Sequence, residues 1–340
     1  MEVAQKRYAP GSEGLLSPLL PWLSDNEVSE ILINQPGEVF IEKRGVMTRF
    51  DVPALNRAHL RHLFTFIANE NRQNLDEKNP LLSGNLYDGT RVQLVMPPAA
   101  KHMALSIRRQ SIKQMSLPDY RKTNFYDVAI PFDINKPANA YATDVDKRLL
   151  DLFNQADWPE FMEQAVKAKK NIVISGGTGS GKTTYLSACA SWIEPEARII
   201  TLEDTYELKI PHQNQLNLCA VKKPNSQSST FEMQDLVQAS LRLRPDRILM
   251  GEVRGKEILD LVSSASTGHE GMLTTIHAPN PRVALMRMIQ MYKQNNVPSM
   301  RDDEIRAVLD EVIDIIIQVK KSPEGPQTHS VYFKGAFDVI

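Results

Sequence analysis

The sequence contains little cysteine, no long apolar run and almost no net charge, and each absence excludes a class of protein. Its two cysteines, Cys189 and Cys219, lie in apolar surroundings without the spacing of a metal site or a disulfide framework. No apolar run approaches the roughly 20 residues that span a bilayer, and the amino terminus lacks the apolar segment of a secretory signal. We therefore expect a protein of the reducing cytosol.

The charge balance excludes a global attraction to polyanions. The 40 Lys and Arg residues are offset by 41 Asp and Glu residues, so no net basic field favours binding to nucleic acid or anionic lipid. One local exception is the stretch 101–122, where six basic residues accompany one acidic residue, Asp119. A solvated face is the ordinary interpretation of such a stretch, and binding to phosphate, nucleic acid or a membrane surface is the alternative.

The 340 residues suffice for about two domains with separate cores. Short helices mixed with alternating strands, such as 39–41 and 47–50, predict a small α+β domain over residues 1–134. The polar, proline-containing stretch that follows predicts a linker over 135–146. Residues 147–340 form the second predicted domain, of the α/β class.

The second domain shows the pattern of a parallel sheet covered on both faces, with short apolar strands separated by helices. Polar or glycine-rich residues directly follow each of four strands. In an open α/β sheet the ligand crevice lies beyond the carboxyl ends of the strands, so the sequence predicts one site assembled from separate segments. A helix from Asp303 and a strand pair, 315–317 with 331–333, close the domain. The four strands are predicted at 172–174, 199–202, 248–250 and 272–276.

The strongest motif is Gly-Gly-Thr-Gly-Ser-Gly-Lys-Thr, which fits the P-loop pattern between an apolar strand and a helix. Its backbone N–H groups and the helix N-terminus would surround the phosphates of a nucleotide. Lys182 should reach the β- and γ-phosphates, and the Thr183 hydroxyl should ligate magnesium. The predicted nucleotide-binding residues are Gly176, Gly177, Thr178, Gly179, Ser180, Gly181, Lys182, Thr183 and Thr184.

Two glutamates, Glu203 and Glu252, follow core strands at the predicted site. A nucleotide–magnesium complex needs an acidic group near the metal and a polar group that orients the attacking water. We predict these roles for the two glutamates, with Glu252 near the metal beside Thr183, although the sequence leaves open which one orients water. Among two histidines that flank the fourth strand, His277 is the catalytic candidate and His269 is interpreted as a helix cap.

Four motifs in the same order along the chain resemble those of the secretion ATPase superfamily. They are 176–183, 201–204, 241–255 and 267–280, which that family names Walker A, Asp box, Walker B and His box. The strand of the Walker B motif is followed by Gly251-Glu252 and carries no aspartate, which departs from the general P-loop pattern and is similar to the family form.

The resemblance implies a RecA-like P-loop ATPase domain, ATP and Mg²⁺ as cofactors, a hexameric ring, and an N-terminal domain that closes over the nucleotide. The short N-terminal domain and the lack of a cysteine-based zinc motif favour the traffic ATPases of type IV secretion. By resemblance, Arg91 and Arg108 would contact the terminal phosphates from the N-terminal domain, and Arg254 would report on the same site or bridge subunits. Such arginines contribute about 10³ to 10⁵ in rate in related phosphoryl transfer.

The function implied is a motor for pilus biogenesis and for export of DNA or protein, with conjugation as one setting, at the cytoplasmic face of the inner membrane. Its expected partners are inner-membrane channel and coupling proteins, while peripheral membrane contact and direct nucleic-acid binding stay open. One rival function is a pilus retraction motor. Another is a RecA-like nucleic-acid translocase, and the basic stretch 101–122 is the only support for the translocase. A small-molecule kinase is the third alternative, although kinases do not need the combination of Glu203, Glu252 and His277.

Overall fold

The structure is a computed structural model that describes residues 12–109, 142–220, 231–295 and 300–336, together with 125, 127 and 129. Two β-sheets organise these residues, one built from 28–108 and one from 172–333. The predicted combination of a parallel-sheet α/β core with a preceding α+β unit is therefore confirmed. Most of the predicted linker lies outside the described residues, and so do residues 110–122 of the basic stretch.

The amino-terminal unit is a six-stranded antiparallel sheet in which helices cover one apolar face. Its hairpin at 43–46 turns through Arg44 and Gly45, which both have the positive φ of a two-residue hairpin loop. The strand order is β3-β2-β1-β6-β5-β4. The elements are α1 (Ser12–Leu16), α2 (Leu20–Leu23), β1 (Val28–Ile33), β2 (Glu38–Lys43), β3 (Val46–Asp51), α3 (Arg57–Glu70), β4 (Leu81–Asn85), β5 (Arg91–Val95) and β6 (Ala104–Arg108).

The second unit alternates strands with helices, as the sequence predicts. All four predicted core strands are present, and the helix expected from Asp303 begins one residue earlier. Helix α4 begins at Asp144, inside the segment 135–146, where Thr143 and Asp146 form a capping box. The elements are α4 (Asp144–Asn154), α5 (Trp158–Lys167), β7 (Ile172–Gly176), α6 (Lys182–Ala190), β8 (Ile199–Glu203), β9 (Gln215–Cys219), α7 (Met233–Ser240), β10 (Arg247–Met250), α8 (Ile258–Ser266), β11 (Leu273–Ile276), α9 (Pro281–Lys293), α10 (Asp302–Val312), β12 (Ile315–Ser322) and β13 (Gly325–Phe333).

The seven strands are ordered β13-β12-β7-β11-β10-β8-β9, and all are parallel except β13 at one edge. Alternate residues of each strand enter different cores: Val173 packs with α7 to α10, whereas Ile172 and Ile174 pack with α4 to α6. Burial on both faces explains why these strands read as continuous apolar runs. Since β7, β8, β10 and β11 run in one direction, their carboxyl ends share one edge of the sheet.

The amino-terminal unit contacts the β9 edge of the second sheet. The backbone N–H of Cys219 donates to the carbonyl oxygen of Ala99 at 2.8 Å. At the other end of β9, the Asn34 amide donates to Asn214 at 3.0 Å, and the buried Arg198 guanidinium donates to the Asn34 side-chain oxygen at 2.7 Å. Among the residues just described, no helix is long and apolar enough to cross a membrane.

Candidate nucleotide site

The P-loop connects β7 to α6 in the conformation that an anion cradle needs. Gly179 and Gly181 have φ of +68° and +86°, a region that L side chains rarely adopt. A Cβ on Gly176 would lie 2.4 Å from the Ser180 hydroxyl oxygen and 2.6 Å from the carbonyl oxygen of Val319. These glycines therefore let the chain turn sharply into the first turn of α6, where free backbone N–H groups favour anions.

Lys182 opens helix α6, and its side chain folds back over the loop. Its Nζ donates to the carbonyl oxygen of Gly177 at 3.0 Å, and the Ser180 hydroxyl donates to the same oxygen at 2.9 Å. Burial lowers the pKa of Lys182, and the negative charge of Glu252 opposes this shift. An ammonium has three donors, so two remain for a ligand. Thr183 is half-buried and Thr184 is exposed on the same turn.

An acidic cavity lies next to the P-loop, where the polar ends of β8 and β10 converge as predicted. Thr183 contributes to it from the first turn of α6. Oxygen ligands of this kind are the ones that magnesium prefers, so the residues present fit that metal. The cavity is lined by Thr183, Glu203, Asp204, Thr205, Glu207, Gly251, Glu252 and Arg254.

Glu203 is almost fully buried, at 2% exposure, and its carboxylate is held by its own loop. One oxygen accepts the backbone N–H groups of Glu207 at 2.8 Å and Leu208 at 2.7 Å, and the other accepts the Thr201 hydroxyl at 3.2 Å. Burial raises the pKa of Glu203, while the two backbone donors oppose the shift. The result is a fixed carboxylate with an enhanced affinity for a proton.

Arg254 joins the two acidic loops. Its guanidinium donates to Glu252 at 2.9 Å and also pairs with Asp204. The backbone N–H groups of Arg254 and Gly255 donate to Glu257, which fixes the start of helix α8. The sequence did not predict this bridge, although Asp204 stands beside Glu203 and could have been considered.

His277 follows β11, and the segment that carries it is held against β7. The Arg287 guanidinium donates to its carbonyl oxygen, and the carbonyl oxygen of Ala278 accepts from Ser175 at 3.3 Å and from Gln318 at 3.2 Å. His277 is half-buried and lies outside the lining of the acidic cavity. The backbone N–H of His269 donates to Ser264 at 3.2 Å, so this histidine follows the end of α8 as a cap residue.

Arg91 and Arg108 lie in a different cavity, at the junction of the two units. Arg108 is exposed and lies 3.6 Å from the buried carboxylate of Glu30. Arg242 and Arg244 reach this cavity from the segment before β10, at the amino ends of the parallel strands. The P-loop lies at their carboxyl ends. The structure therefore does not bring Arg91 and Arg108 to the nucleotide site of their own chain.

The chain matches a family model described as Type II/IV secretion system protein, over residues 138–325. The type IV secretion system protein VirB11 of Brucella suis is 34% identical over 94% of this chain and 88% of that protein. PtlH of Bordetella pertussis, another type IV secretion system protein, is 33% identical over 90% of this chain and 89% of its own length. The crystal structure of the Brucella suis VirB11 ATPase in complex with sulphate superposes with a TM-score of 0.87 at 32% identity, covering 95% of this chain and 98% of that one.

Proposed function

This chain belongs to the Type II/IV secretion system protein family and, within it, to the VirB11 ATPases of type IV secretion, and we propose that it works as a magnesium-dependent motor in a ring of six copies. The observation that carries this proposal is the convergence of a P-loop and the acidic residues Glu203, Asp204 and Glu252 at one edge of a parallel sheet. Such an edge is where α/β proteins bind nucleotides.

In this proposal the loop 176–183 and the first turn of α6 bind the phosphates of ATP, and Lys182 contacts the β- and γ-phosphates. Thr183 and Glu252 hold the magnesium ion, which when bound neutralises the charge that develops on the phosphates. Glu203 orients the attacking water, because its carboxylate is fixed by two backbone donors and has a raised pKa. His277 contacts the terminal phosphate from the end of β11.

Arg254 links nucleotide binding to the acidic loops in this scheme. Its guanidinium is shared between Glu252 and Asp204 in the chain alone. If Glu252 holds a cation, Arg254 would lose its share of that carboxylate, and its guanidinium would turn toward the phosphates or toward a neighbouring copy. Arg254 is half-exposed, which leaves it free to move.

Arg91 and Arg108 serve a neighbouring copy of the chain in this scheme. Their cavity lies at the amino ends of the strands, so only the nucleotide of another copy can come within their reach. Mixing two inactive variants in one ring tests directly whether these arginines act on a neighbouring copy. Rings of Lys182→Ala chains and rings of Arg108→Ala chains are inactive alone, and mixed rings regain activity because intact sites form between the two kinds of chain. Mixed rings without activity would contradict action between copies.

The ring works at the cytoplasmic face of the inner membrane, where channel and coupling proteins of the secretion system receive it. The magnesium assignment is tested by phosphate release at increasing magnesium concentration. Thr183→Ala should require about tenfold more magnesium for half-maximal rate, because one of the oxygen ligands is lost. Thr65→Ala, which removes an exposed threonine hydroxyl on α3, is the matched control and should behave as the parent. Light scattering on the same samples reports whether six copies assemble.

A further inference from the structure

The hairpin of β12 and β13 extends beyond the P-loop strand. Val319 pairs with Gly176, the last residue of β7, and β12 continues for three more residues before the chain turns back into β13. The tip of this hairpin therefore overhangs the P-loop, at the same edge of the sheet as the nucleotide site. The function described so far does not use this hairpin.

The hairpin contacts two glycines of the P-loop. A Cβ on Gly181 would lie 2.9 Å from Cγ of Pro326, and a Cβ on Gly176 would lie 2.6 Å from the carbonyl oxygen of Val319. Pro326 thus lies against the residue that precedes helix α6. The hairpin therefore lies beside the phosphate cradle.

The register shows which side chains share the P-loop face of the hairpin. Val319 belongs to the apolar core beneath α6, and Lys321, two residues on, lies on the same face. Lys321 pairs directly with Pro326, and paired residues of antiparallel strands project to one side. Both are exposed, and no carboxylate of the described chain forms an ion pair with Lys321. Lys320 is equally exposed but projects to the opposite face.

The order of the strands sets the direction of a bound nucleotide. Glu203 ends β8 and Glu252 lies just after β10, both on the β11 side of β7, whereas the hairpin lies on the other side of β7. Because the reacting terminal phosphate must lie near the acidic residues, the opposite end of the nucleotide leaves the P-loop toward the hairpin.

We propose that Lys321 and Pro326 form the wall of the nucleoside subsite. The proline ring packs against the nucleoside, and the lysine side chain covers it from the solvent side. This inference rests on the proposed ATPase function and adds to it the part of the site that recognises the nucleoside rather than the phosphates.

The test compares binding of ATP with binding of inorganic tripolyphosphate, which lacks the nucleoside, by isothermal titration calorimetry on the full chain. Lys321→Ala and Pro326→Ala should each weaken ATP binding about fivefold and leave tripolyphosphate binding within about twofold. Lys320→Ala removes the same charge from the other face, so it should change neither affinity. Because all three residues are exposed, the variants should keep the melting temperature of the parent.

Two results would overturn the nucleoside wall: unchanged ATP affinity in both variants, or an equal loss of affinity for ATP and tripolyphosphate. Failure of the underlying function gives a different pattern. In that case the parent binds neither ligand, or Lys182→Ala binds ATP as tightly as the parent, whatever the hairpin variants do.

Discussion

Glu30 makes the stability of the amino-terminal unit depend on pH. The residue is 4% exposed, one carboxylate oxygen has no hydrogen-bond partner within the described structure, and the other lies 3.6 Å from Arg108. Burial raises the pKa of Glu30 from its ordinary value of 4.5 to about 7, and the positive charge of Arg108 only partly opposes the shift. The folded protein therefore prefers Glu30 protonated.

The size of the effect follows from the difference in pKa between the folded and unfolded chains. Below pH 4.5 both states bind the proton, so Glu30 costs nothing. As pH rises from there to about 7, the unfolded chain loses the proton first and the folded chain is destabilised. Each pKa unit corresponds to about 1.4 kcal/mol, which gives about 3 kcal/mol in total and about 2 to 3 kcal/mol between pH 5 and pH 8.

Urea denaturation of the parent and of Glu30→Gln, measured at pH 5 and at pH 8, tests this reasoning. Gln has the same shape without the charge, so the variant should gain about 2 to 3 kcal/mol over the parent between the two pH values. The exposed Glu70→Gln is the control and should follow the parent. Parallel pH dependence of the parent and Glu30→Gln would refute the account.

Three further predictions concern the loop, the junction and the water-orienting group. Gly176→Ala should abolish ATP binding in calorimetry and lower the melting temperature, since the new Cβ would lie 2.4 Å from the Ser180 hydroxyl oxygen and 2.6 Å from the carbonyl oxygen of Val319; parental affinity would contradict this. Arg198→Met should lower the free energy of unfolding in urea by about 2 to 4 kcal/mol, because the Asn34 side-chain oxygen loses its buried donor; an unchanged midpoint would refute it. Glu203→Gln should reduce kcat by about 10²-fold or more while ATP still binds, and a parental kcat would exclude Glu203 from water activation.

The fold of the second unit could be predicted because its strands are buried on both faces. Runs such as 172–174 and 199–202 are apolar throughout and are followed directly by polar residues, so both the strand and its end are visible in sequence. Strand β9 was missed because it lies at the sheet edge, where Gln215 and Asn217 alternate with buried leucines. A short alternating segment of this kind does not stand out from a loop.

The site was predictable where residues follow directly after strands, and not where loops converge. Strands whose direction is fixed by the sheet end at or just before the P-loop, Glu203 and Glu252. The bridge from Arg254 to Asp204 depends on how two loops fold, which no pattern in the sequence specifies. Likewise, the position of Arg108 at the junction depends on how the two units dock through Arg198 and its partners. The sequence alone could therefore not show that Arg108 lies away from the P-loop of its own chain.

Phosphate release from ATP in the presence of magnesium tests the central claim most directly. The comparison is between the parent, Lys182→Ala, and Lys147→Ala, which removes an exposed lysine on α4. Magnesium-dependent hydrolysis by the parent and by Lys147→Ala, with loss of at least about 10²-fold in Lys182→Ala, is the predicted result. Equal hydrolysis by Lys182→Ala and the parent, or a parent that binds ATP and never hydrolyses it, would contradict the account.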